Sequence, residues 1–197
     1  MRRSHLIVPS LIALASFGLA SGLAAPAPLA AEAHEDGETS ESEALAQLFE
    51  DYDAARLDMS PMSKAYRGIR DSDYGEWDEA SDAADEAEYK LLQDTAAEVA
   101  ERFDPATLNE QDTLSYRLFD LTAERSASLW PYRKLGYIFD QRRGPHTGIP
   151  AFLINIHRVG SKTDAEAYIS RIDGIGARLD ALTAEAAERA AALAAEV

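Results

Sequence analysis

Not one cysteine occurs among the 197 residues. That absence excludes disulfides, thiolate nucleophiles, cysteine-ligated zinc and a lipid-modified N-terminal cysteine in one step. Positive charge is scarce as well, with 19 lysines and arginines against 35 acidic residues and a formal charge of −16. A chain this acidic is repelled on average by nucleic-acid phosphates and anionic lipid, so no nucleic-acid partner is expected. H-E-x-x-H, G-x-S-x-G, the P-loop and G-x-G-x-x-G are all missing. Short strands at regular spacing are missing too, while alanine-rich helix formers dominate. An all-α fold, a bundle of long amphipathic helices, follows.

Histidine is rare, at positions 5, 34, 146 and 157 only. A catalytic zinc needs three protein ligands in fixed geometry plus an open position, and His146 with His157 has no recognised spacing. The acids Asp71, Asp73, Glu76 and Asp78 crowd one loop. Asp71-Ser-Asp73-Tyr-Gly75-Glu nevertheless lacks the third ligand and the closing glutamate of a calcium loop, so a solvated turn is the expectation.

At the N-terminus, Met1-Arg2-Arg3 precedes an apolar run from Leu6 to Leu19 and then small residues. The run is short of the ~20 residues a membrane span needs. Charge, apolar run and small residues in that order predict a secretory signal peptide over 1–33, with Ala31-Glu32-Ala33 as an A-x-A cleavage site. Sites between Ala25 and Ala31 are alternatives. Export to the periplasm or the medium follows, with no membrane span after cleavage. Residues 34–42 are acidic without apolar periodicity and read as a disordered leader, and the helical domain is placed at 43–197.

Ser40 with Glu43 matches a capping box, and Leu45, Leu48, Phe49 and Tyr52 then fall on one helical face. Ser60-Pro61 ends that helix and opens a short one finishing near Gly68. Trp77 is expected to fill a gap between helices. A long helix spans Glu79 to Phe103. Asn109 caps the next, in which Leu114, Leu118, Leu121, Arg125 and Leu129 form the expected core stripe. Trp130-Pro131 stops it.

Gly144-Pro145 and Gly148-Ile149-Pro150 predict two changes of chain direction, presenting His146 between them. A loop of this kind either lines a pocket or locks helices together. Ala151 to Ile156 is expected to form a helical turn or two, and His157 to be a hydrogen-bonded core histidine. Thr163 with Glu166 suggests a second capping box, opening a helix with Tyr168, Ile172, Ile175, Leu179, Leu182 and Ala186 in one stripe. That helix reaches Val197 with no glycine cap, no proline and no polar tail, and such an ending is expected of an interrupted fold.

Four segments in order carry a family resemblance: Leu48 to Ile69, Leu108 to Leu118, Gly144 to Arg158 and Asp164 to Ile172. Together they resemble the N-terminal third of the bacterial family catalogued as domain of unknown function 885, over roughly Ala44 to Leu193. The resemblance implies an exported, mostly helical zinc-metallopeptidase-like protein with a peptide substrate. The family's zinc helix, His-Glu-Ala-x-Pro-Gly-His, would lie far downstream, so no metal ligand or general base is carried over to this chain. Here it implies a lobe that walls a substrate channel and meets a missing C-terminal portion of the same fold across an apolar face. The Gly144–Pro150 loop would face the channel, with His146 bonding a peptide backbone or terminal carboxylate and Arg142 or Arg143 pairing with that carboxylate. The other reading is a non-enzymatic periplasmic binding or interaction module.

Overall fold

The computed structural model describes residues 32–195. Six α-helices and one 3-10 turn make up the order, and no strand occurs among the described residues. The all-α reading therefore holds. The helices are α1 (Glu32–Asp58), α2 (Pro61–Tyr66), α3 (Asp82–Arg102), α4 (Glu110–Leu129), α5 (Pro145–Asn155) and α6 (Lys162–Ala195), with the 3-10 turn at Trp130–Tyr132. Residues 1–31, nearly all of the expected signal peptide, lie outside the described residues.

Helix α1 begins at Glu32, so the stretch 34–42 is helical rather than a structureless leader. Ser40 consequently stands inside the helix and not at its cap. Acidic residues are favoured near a helix N-terminus by the dipole, so a lack of apolar periodicity does not exclude a helix there.

Two apolar clusters hold the fold. In the first, Leu45 and Leu48 of α1 meet Val99 and Phe103 at the end of α3, with Tyr116 and Phe119 of α4 closing over them. Phe119 lies 4.9 Å from Phe49 and edge-on to Tyr52 at 5.0 Å, ring centre to ring centre. In the second, Ala65, Tyr74, Ile149, Phe152 and Leu153 pack with Met62, Trp77, Tyr168, Ile175 and Leu179. Each fully buried Leu or Phe contributes about 2–3 kcal/mol of transfer free energy.

Local signals set most boundaries. Ser60 Oγ accepts from Ser63 N at 3.1 Å with Pro61 in the first turn, and Gly68 ends that helix at φ +78°. Asn109 Oδ1 accepts from Asp112 N at 2.9 Å. Ser81 does the same for Ala84 N, trimming α3 to Asp82.

Three expectations need correction. The expected stripe of α4 points outward: Leu114, Leu118, Leu121 and Leu129 are exposed, and Tyr116, Phe119 and Ala123 face the core instead. Gly148-Ile149-Pro150 is not a turn but part of α5. Pro150 lacks the N–H that would bond the His146 carbonyl, a loss offset by burial of Ile149, Phe152 and Leu153 on the same helix. The chain turns once, at Gly144, whose φ of +144° suits glycine and whose carbonyl accepts from Thr147 N and Gly148 N. The cap of α6 is Ser161 rather than Thr163: Ser161 Oγ accepts from Asp164 N at 3.1 Å and Asp164 Oδ2 accepts from Gly160 N at 2.8 Å. Asp164 thus reaches past the cap residue to the N–H before it, a variant of the capping box placed two residues earlier than Thr163.

Candidate functional site: an acidic cleft

A concavity of about 740 Å³ lies where the α1–α2 junction, the loop after α2, the first turns of α3 and the middle of α6 meet. Eight carboxylates line it, from Asp58, Asp73, Glu76, Asp78, Glu79, Asp85, Glu88 and Glu185, against three guanidinium groups from Arg56, Arg178 and Arg189. Trp77, Ile138 and Leu182 supply its apolar surface.

Several of these charges already have work in the fold. Asp78 accepts from Ser60 Oγ and from Met62 N, both at 2.8 Å, and so anchors the start of α2. Glu88 pairs with Arg56 at 2.9 Å, Glu185 pairs with Arg189, and Arg178 donates to the Asp78 carbonyl. Asp58, Asp71 and Asp73 surround Lys64 Nζ at 3.2, 3.0 and 2.9 Å. Hydrogen bonds to Asp73 and then Asp71 hold the Lys64 ammonium well above the usual lysine range. The acidic loop is therefore organised around an internal cation.

Glu76 and Asp85 have no cationic partner among the described residues. Desolvation, followed by repulsion from Glu185, raises the Asp85 pKa above the ordinary aspartate value. Burial is the larger cause and the Glu185 charge the next, while the nearby Arg189 acts in the opposite direction. Chemically, the cleft is fitted to an ammonium or guanidinium group laid against an apolar surface.

Behind it sits Arg171, with no exposed surface. Its Nη2 donates to the Pro61 carbonyl at 3.3 Å, while Nε and Nη1 have no acceptor. The guanidinium carbon lies 4.6 Å from the Phe152 ring centre, 5.4 Å from that of Tyr74 and 5.5 Å from that of Trp77. Aromatic faces thus replace a counter-ion. Burial lowers the pKa of this group. Arg171 belongs to no motif, yet the sequence carries its signal: a cation in the slot between Tyr168 and Ile175 on an otherwise apolar face. Trp77 fills the gap between helices as expected, donating Nε1 to the Arg171 carbonyl at 2.8 Å.

Arg142, Arg143 and His146 all lie on exposed surface, and none lines the cleft. Asp140 Oδ1 accepts the backbone N–H of both arginines at 2.6 Å, which lowers its pKa and leaves their guanidinium groups outside that turn's bonding. His146 rests near Phe139, ring centres 6.0 Å apart. His157 is a core histidine. Its ring stacks on Tyr74 at 4.3 Å, meets Tyr168 edge-on and places Nε2 3.1 Å from the Asp164 carbonyl.

Zinc does not fit these residues. Among the described residues no three His, Asp or Glu side chains are placed to hold a metal ion, and the one point on which three aspartates close is filled by Lys64 Nζ. His146 and His157 stand at opposite ends of α5, about 16 Å apart at 1.5 Å per residue.

Fold and cleft define an all-α domain with an acidic concavity and a core histidine, His157. The family described as a bacterial protein of unknown function (DUF885) matches residues 61–196, most of the chain, and the chain belongs to that family. No curated protein and no solved structure matches it.

Proposed function

We propose that this chain is a peptide-binding helical lobe of an exported, zinc-metallopeptidase-like protein, with the acidic cleft receiving cationic side chains or an N-terminal amine. The observation that carries the reading is the excess of carboxylates, Glu76 and Asp85 among them, over arginines in a cleft that also exposes Trp77, Ile138 and Leu182. Zinc would supply activated water in a family member that holds it. The described residues of this chain do not fit the metal, and no hydrolytic step is assigned to them. Arg142, Arg143 and His146 are proposed to take a peptide's terminal carboxylate at a separate surface.

Calorimetric titration of the whole chain with a lysine-rich decapeptide and its glutamate-substituted counterpart tests this. The basic peptide binds, the acidic one does not, and Asp85→Asn with Glu76→Gln weakens binding about tenfold. Added salt weakens it further. Alanine at Arg142 and Arg143 weakens a peptide with a free C-terminus more than its amide. Equal binding of both decapeptides, or of neither, rejects the cleft assignment. The alternative, a non-enzymatic interaction module, draws on the same lack of convergent metal ligands, and chelator-sensitive cleavage of an oligopeptide by the chain alone would reject both readings.

A further inference from the structure

Helix α4 is apolar on two opposite faces. Tyr116, Phe119 and Ala123 meet the core. On the other side Leu114, Leu118 and Leu121 are 51%, 55% and 40% exposed, and with Arg125 they follow spacings of four, three and four. That is a heptad seam, with Leu114 and Leu121 at d and Leu118 and Arg125 at a. Such a helix is built to be covered on both sides.

The flanking charges identify what covers it. Arg117 and Glu124 are exposed, lie one heptad apart and both precede an a position, which makes each a g residue. Neither joins an ion pair among the described residues. In an antiparallel helix pair g faces g, so Arg117 of one copy meets Glu124 of the other, twice by symmetry. The same register sets Leu118 against Leu121 and lays the Arg125 stem over Leu114. A parallel pair would instead face Arg117 with Thr122 and gain no opposite charge. The seam is thus complementary to itself in one orientation, as an isologous interface requires. We propose that α4 joins two copies of this chain as an antiparallel, two-fold symmetric dimer.

Sedimentation equilibrium of the whole chain over a range of concentrations is the test. A reversible monomer–dimer equilibrium is expected. Leu118→Glu, at an exposed position, abolishes it while leaving the melting curve unchanged. Arg117→Glu weakens the dimer about tenfold, and adding Glu124→Arg restores it. Orientation is read in this cysteine-free chain by cross-linking. Leu114→Cys alone gives no disulfide, because the two sites lie about 16 Å apart along antiparallel axes, whereas a mixture of Leu114→Cys and Arg125→Cys chains does. A monomer at every concentration, including one whose seam is covered by other parts of its own chain, overturns the proposal. So does a dimer indifferent to Leu118→Glu, failure of the charge swap to restore association, or efficient Leu114→Cys self-linking.

Discussion

The two halves of the molecule solve the same packing problem with different chemistry. Around α1, α3 and α4 the buried side chains are Leu45, Leu48, Leu92, Val99, Phe103 and Ala123, with Thr95 as the single polar member, bonded to its own helix at Leu91 O. Around α2, α5 and α6 the fold buries Arg171, His157 and Asp164 among its aromatics. The first half buries apolar area almost exclusively and keeps its polar links, such as Arg56 with Glu88, outside the core. The second exchanges some of that gain for geometry, because the bonds of Arg171 to the Pro61 carbonyl, of His157 to the Asp164 carbonyl and of Asp164 to Arg70 fix where those partners must sit.

Truncation at the centre of each half tests this contrast most strongly. Phe152→Ala removes the ring beneath Arg171 and should cost about 4 kcal/mol, against about 3 kcal/mol for Leu45→Ala. Chemical denaturation monitored by two probes measures both. A single shared transition would mean that the halves unfold together, and a split transition in the Leu45 variant would make the apolar half a separate unit.

Arg171 sharpens the contrast at the next level. Arg171→Ala leaves a cavity and should cost about 3 kcal/mol, while Arg171→Met keeps the volume, removes a desolvated cation and should stay within about 1 kcal/mol of the parent. A methionine variant as damaged as the alanine one would show that the charge, not the shape, organises this half.

The smallest effect expected is a pH dependence. Burial depresses the His157 pKa below its ordinary 6.5. The unfolded chain therefore takes a proton at higher pH than the folded one, and stability is complete above about pH 6.5 and declines as pH falls through that value toward the folded one. His157→Gln should flatten the slope in that window, as measured by urea denaturation at several pH values. An unchanged slope would assign it to another group.

Most boundaries were legible because their causes are local. Ser60-Pro61, Asn109 and Trp130-Pro131 each act within one turn, so no distant contact can override them. The face of α4 was not legible. Leu114-Leu118-Leu121 and Tyr116-Phe119-Ala123 have equally good helical spacing, and periodicity cannot say which row meets the core. The two candidate caps of α6 overlap, and Ser161 prevails over Thr163 in company with a distant partner: Asp164 also binds Arg70 at 2.9 Å, 94 residues earlier. Pro150 misled because proline and glycine mark turns by frequency, yet a buried apolar face carried α5 through them. The cleft was invisible for a related reason, since its carboxylates come from α1, α3, α6 and the loop between α2 and α3, which only the tertiary fold assembles.

Contacts between the loop after α2 and the region of α5 and α6 tie together residues far apart in the chain: Tyr74 with Arg158, and Trp77 with Arg171, at separations of 84 and 94. The hairpin of α3 and α4 is thereby an excursion that leaves one body and returns to it. The entropy of closing so long a ring grows only logarithmically, about 0.6 kcal/mol for each doubling of its length. Its exposed tip at Ala106 and Thr107 is consequently a place where chain can be inserted, even a whole guest domain, with little effect on the knot that holds the ends together.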